Sequence, residues 1–256
     1  MRVPTSLIVQ ILAAALFLLG SNCPAYAQTL DDLTLDVRDV SDPDAPLRVS
    51  VGQITFHQEI YSDHVKSTCA MHVELENVSW RSILAYEVSF QAVPHFGGAF
   101  NRVDRKDSFF SHNVTFLPGS RDLLQYDCSR SSAVSRGGVP IKPRKSTESP
   151  KAELMVVFVE FVDGAKYGSS DWGEYLSEGR AATIERLKGL LKAYQGGGEG
   201  ALRMAMTQAL TRPDNPSYTQ DALYILDEKL KAAGAEGFIS NINEKLRAAQ
   251  ERTNVM

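Results

Sequence analysis

Asp163, Asp171 and Glu174 lie close together in the chain and are the residues best suited to acid–base chemistry. Two carboxylates brought to one spot can serve as general acid and as base or nucleophile on a glycosidic bond. Spacing in the sequence does not itself bring them together, so a hydrolase or glycan-processing enzyme is the alternative reading and not the leading one. Other catalytic patterns are missing. "GSSDWG" at 168–173 is not the G-x-S-x-G of a nucleophile elbow. "GGGEGA" at 196–201 has no phosphate-loop lysine and reads as a flexible link between helices. There is no H-E-x-x-H, and His57, His64 and His72 match no common zinc spacing. The sequence assigns no catalytic residue, no metal ligand and no cofactor.

Charge and cysteine supply the remaining candidates. Arg136, Lys142, Arg144 and Lys145 fall in a glycine- and proline-punctuated basic stretch of an otherwise acidic chain of net charge −4. Such a loop could contact a protein or an anionic glycan, and a solvated loop is the competing reading. With no aromatic residues to stack on bases, it is not read as a nucleic-acid site. Cys69 and Cys128 are expected to form a disulfide, because the chain opens on an export leader. That leader has Arg2, an apolar run from Leu7 to Leu19, and Ala25-Tyr26-Ala27 before Gln28. Its removal takes away Arg2 and Cys23, leaving 26 basic and 31 acidic residues. The mature protein is therefore expected in the periplasm or outside the cell, with no membrane span. Asn77-Val-Ser and Asn113-Val-Thr are sequons that matter only in a host that glycosylates.

These residues need elements to hold them. Cys69, Met71, Val73 and Leu75 alternate with polar partners, and Tyr86, Val88 and Phe90 do the same, as half-buried strands do. Phe109–Leu117 and Leu123–Cys128 are further candidate strands. The stretch "VVFVEFVDGAKYG" at 156–168 reads as a strand followed by an Asp163-Gly164 hairpin of type I′. Both of its faces are apolar, so both need cover. Leu154, Val156 and Phe158 are expected to lie under the downstream helices or at an oligomer contact. From about residue 180 the period becomes helical, with stripes interrupted at 196–198, Arg212-Pro213 and Gly234, and Ser217 with Gln220 fits a capping box.

The alternating strands and the strand–turn at 156–168 resemble, at the level of fold, the immunoglobulin and fibronectin type III-like sandwiches of secreted bacterial proteins. The core tryptophan of immunoglobulin domains has no counterpart, since Trp80 sits in the turn-like "NVSWRS". The resemblance implies an α+β chain: an antiparallel Ig-like β-sandwich followed by a C-terminal α-helical segment. The expected divisions are 1–27 leader, 28–46 acidic linker or leading strand, 47–176 sandwich and 177–256 helices. Such sandwiches carry no single activity. The leading expectation is an exported, non-enzymatic binding or structural protein.

Overall fold

The computed structural model describes residues 28–61, 64–94, 99–111, 116–133 and 149–254. A strand-rich region precedes two long helices, so the α+β order stands. The antiparallel two-sheet sandwich does not. β1 (Gln28–Asp39), β2 (Leu47–Ile60), β3 (His64–Asn77), β4 (Ile83–Val93), β5 (Phe100–Asp107), β6 (Arg121–Ala133), β7 (Lys151–Phe161) and β8 (Lys166–Gly168) form one mixed sheet. Its order is β5-β4-β7-β1-β2-β3-β6, with β8 paired to β7.

The strand that overturns the sandwich is β1, within the acidic stretch. Its first part pairs antiparallel with β2, and Val37, Arg38 and Asp39 then pair parallel with Ala152, Glu153 and Leu154 of β7. One strand thus joins what would have been two sheets, and the result curls into a half-barrel. The open side is closed by side chains. Phe100 of β5 stacks on Tyr126 of β6 at 5.8 Å, Arg102 lies 3.7 Å over the same ring, and the Tyr86 hydroxyl donates to Asp122 at 3.0 Å. The curled interior is a continuous apolar core that includes Leu47, Ile54, Met71, Leu75, Phe90 and Leu154.

β3 and β6 run antiparallel with Cys69 opposite Cys128, and these two form the disulfide, with Cα atoms 4.9 Å apart. Of the candidate strand at 109–117, residues 112–115 lie outside the described residues, and the described ends form no strand. Phe109 and Phe110 lie in a turn after β5, and Phe116 makes only an isolated bridge to Ile83. β5 takes the edge position instead. The hairpin at Asp163-Gly164 is also different in type: only Gly164 has positive φ (81°), and Phe161 N donates to Ala165 O across a three-residue loop. A type I′ turn needs positive φ at both central residues.

α1 (Asp171–Leu210) and α2 (Ser217–Thr253) are each two helical segments joined across a glycine break. Gly198 (φ 65°) and Gly234 (φ 70°) occupy a conformation that other residues adopt only with strain. The glycines therefore kink the rods where the sequence suggested separate helices. Ser217 and Gln220 form no capping box. Pro216 is the N-cap, and Gln220 Nε2 donates to Leu210 O in the preceding helix. The two helices bury most of their apolar stripes against each other, around Leu187, Met206, Leu226, Phe238 and Ile242. Among the described residues no helix is long and apolar enough to cross a membrane.

Candidate functional site

The helix pair meets the sheet at a small junction, and two bulges create it. Register shifts in β4 near Leu84 and in β7 near Val157 change which face the following residues take. Leu154 and Val156 pack in the half-barrel core together with Val159 and Phe161, whereas Phe158 and Glu160 fall on the helix side. Two-sided cover of β7 is therefore observed, with its residues shared out differently from strict alternation. Phe158 alone of the three expected side chains lies under a helix, with Ala85, Trp172 and Leu176. α1 approaches so closely that a Cβ on Gly173 would sit 2.5 Å from the Phe158 ring. Its N-cap is Ser170, whose Oγ accepts from Gly173 N at 3.0 Å and donates to Glu87 at 3.1 Å.

A charged cluster occupies the centre of this junction. Gly173, Leu176, Arg180, Thr183 and Leu187 share the buried stripe of α1, and Arg180 is only 4% exposed. Its guanidinium grips Asp107 at the end of β5 through two bonds of 2.9 Å, from Nε and from Nη2. Nη2 also lies 2.7 Å from Glu160 Oε2, an ion pair that leaves this oxygen without a hydrogen bond of good geometry. The Phe109 ring lies 4.6 Å beneath the guanidinium. Tyr218 of α2 donates to Asp107 Oδ2 at 2.6 Å, and Phe109 N donates to Oδ1 at 2.9 Å.

The electrostatics follow from that geometry. Burial alone would pull the Arg180 proton affinity down, yet Asp107 and Glu160 raise it above the ordinary arginine value. Burial and the adjacent Asp107 charge push the Tyr218 phenol up. Asp107 accepts four donors, which exhausts the usual capacity of a carboxylate. A second pair stands beside the first, in which Glu87 accepts from Arg105 Nε at 3.1 Å, and the Arg105 head lies 5.8 Å over Trp172.

Above this floor two adjoining depressions open. One, of about 360 Å³, is lined by Phe110, Trp172, Leu187, Ile225, Leu226 and Lys245, with Asp107 and Asp221 also on its wall. The other, of about 480 Å³, lies around Trp172, Tyr175, Glu178, Pro216 and Tyr218. They share Arg105, Trp172, Ser217 and Tyr218 and so form one cleft between β5 and the helix N-termini. Clefts that hold small ligands span roughly 300–1,000 Å³.

The carboxylates read from the sequence are placed separately. Asp163 sits at the β7–β8 turn, where it accepts from Ala165 N at 3.1 Å and lies 3.5 Å from Arg81. Asp171 and Glu174 occupy the exposed first turn of α1, and of the two only Asp171 lines the cleft. Arg136, Lys142, Arg144 and Lys145 lie outside the described residues, as does Asn113. Asn77 is fully buried: its Nδ2 donates to Arg81 O and Phe116 O, and its Oδ1 accepts from Ser79 N. This sequon builds a turn. His57 pairs with Asp32, and His64 stacks on Tyr61 at 4.4 Å. Among the described residues no group of three or more His, Cys, Asp or Glu is placed to hold a metal.

The residues that shape the cleft were not evident from spacing. Arg180 and Glu160 are charges inside apolar stripes, and Asp107 ends a strand whose sequence is almost wholly polar. The one available signal was Glu160 as the lone charge in the run 154–161, which is otherwise apolar on both faces, since a buried carboxylate calls for a buried cation. Compared with protein-family models, with curated proteins and with solved structures, the chain matches none.

Proposed function

We propose that this is an exported, non-enzymatic binding protein whose ligand site is the cleft between β5 and the two helices. The supporting observation is the saturated floor: Asp107 is committed to Arg180, Tyr218 and Phe109, while the walls above carry Trp172, Tyr175 and Phe110. A polar base already hydrogen-bonded within itself, with aromatic walls above it, suits recognition. Acid–base catalysis would have to use exposed wall carboxylates such as Asp171 and Asp221 and not the committed Asp107. Export is favoured by the leader together with the disulfide.

Trp80 and Trp172 are the only tryptophans, so Trp80→Phe makes Trp172 a single emission probe inside the cleft. Mature protein is titrated with a panel of oligosaccharides, peptides and neutral, anionic and cationic amphipaths, and each compound is recovered for mass analysis. The expected result is a saturable emission change with at least one compound, which is recovered intact. Turnover of any compound would reverse the non-enzymatic reading, and no saturable change with any would remove the cleft as the site. N-terminal sequencing of exported protein should begin at Gln28.

A further inference from the structure

Lys245 is the one charged side chain in the cleft wall that is substantially buried yet lacks a counter-ion. Arg180 faces Asp107 and Glu160, and Arg105 faces Glu87. Lys245 makes no ion pair with any described residue. Its surroundings are apolar, since Phe110, Leu187, Ile225 and Leu226 share the same depression. Burial pulls the ammonium below the ordinary lysine value, Lys229 adds like-charge repulsion, and Glu244 offsets this only in part. Of the carboxylates on this wall, Asp107 is spent on Arg180 and Tyr218, and Asp221 is exposed on α2. Ile225 is also a large apolar side chain left mostly in water at the edge of the depression. A half-buried cation with no ion-pair partner and an uncovered apolar wall are both costs to the empty protein. A single ligand removes both if it carries a carboxylate and an apolar body.

Resting on the cleft reading above, we infer that the cleft takes an amphipathic monocarboxylate, with Lys245 as its counter-ion and Phe110, Leu187, Ile225 and Leu226 against its hydrocarbon part. Asp221 stays hydrated at the rim, so the selectivity comes from the desolvated charge, which is Lys245. Arg105 shares the wall but is already held by Glu87.

The test uses full-length mature protein carrying Trp80→Phe, with Trp172 emission titrated by decanoate, decanol and decylammonium. Decanoate should bind at least tenfold more tightly than the other two. Lys245→Met should cost decanoate about tenfold and leave decanol unchanged, and Lys245→Arg should keep most of the decanoate affinity. Circular dichroism of each variant confirms the fold, and Lys245→Gln substitutes if the methionine variant proves insoluble. If decanol binds as tightly as decanoate, or if Lys245→Met leaves decanoate binding unaltered, the anion inference is overturned while a binding cleft remains. If none of the three changes Trp172 emission, the inference is likewise overturned, and the wider panel decides separately whether the cleft binds anything.

Discussion

The half-barrel interior and the sheet–helix junction are both buried, but they are held together by different physics. The interior is a large apolar cluster drawn from β1–β7, in which each side chain contributes through area removed from water and neighbours can substitute for one another. The junction has two small apolar clusters, around Leu84 with Phe109 and around Phe158 with Leu176, and between them a bidentate arginine–aspartate pair. Hydrophobic area is tolerant of its arrangement. A buried ion pair is not, because removing one partner strands the other in a medium that cannot solvate it. The helices are therefore positioned on the sheet by a few specific atoms, and two of the residues involved, Asp107 and Tyr218, also line the cleft.

The largest effect should come from breaking that pair. Arg180→Ala leaves Asp107 and Glu160 buried without a cation and should cost about 3–5 kcal/mol. Urea unfolding followed by Trp172 emission and by far-UV circular dichroism should then separate into two transitions, with the junction lost first. Combining Arg180→Met with Asp107→Asn and Glu160→Gln removes the charges together and should recover much of the loss. If Arg180→Ala unfolds at the wild-type midpoint, the junction is held by area after all.

The two regions also differ in how much of them was legible. β3 could be read from Cys69, Met71, Val73 and Leu75 because one face meets the core and the other meets water, which writes a period of two into the chain. β5 could not: an edge strand with the sequence FNRVDRKD is kept polar, and its Val103 is largely exposed. The parallel pairing of β1 with β7 joins residues more than a hundred positions apart and leaves no local mark. The bulge at Val157 is equally silent, since Val156-Val157-Phe158 reads as unbroken alternation. Its structural counterpart is Gly168, where a Cβ would lie 2.1 Å from Val157 O. Arg180 was hidden for a related reason: periodicity searches for apolar residues, and the central residue of this stripe is charged. The interior was legible because area leaves a pattern, and the site was not because single contacts do not.

Removing the disulfide probes the other region. Cys69→Ser with Cys128→Ser should cost about 2–4 kcal/mol through the unfolded chain that the bridge would otherwise constrain. The loss should fall on the half-barrel transition, and helical ellipticity should persist under conditions where the sheet is weakened. Equal losses from both signals would mean that sheet and helices unfold as one unit and that the two regions do not differ in stability.

A smaller effect tests how closely α1 must approach. Gly173→Ala places a methyl group against the Phe158 ring and should cost about 1–3 kcal/mol by overpacking. Pairing it with Phe158→Leu should return part of this, because the smaller side chain makes room. A double-mutant cycle measures that coupling directly. Strictly additive effects would place the strain elsewhere.

The smallest expected effect has the opposite sign. Lys245→Met removes a half-buried ammonium with no ion-pair partner and fills the same space with an apolar chain, so it should stabilise the ligand-free protein. Because folding lowers the Lys245 pKa, the folded state holds this proton less tightly than the unfolded chain does. Keeping the lysine charged therefore costs stability below the folded pKa. That cost is relieved as pH rises through the folded pKa toward the ordinary value of 10.5. The advantage of Lys245→Met should accordingly be greatest near neutral pH, at roughly 1–3 °C in Tm, and should shrink as pH approaches 10. Calorimetry at pH 7 and pH 10 reads both values. A methionine variant less stable than wild type at pH 7 would show that Lys245 supports the fold, and the junction would then contain no charge held at a cost. A gain at pH 7 that narrows toward pH 10 identifies Lys245 as a place where the protein gives up stability, as expected of a group kept to meet a ligand.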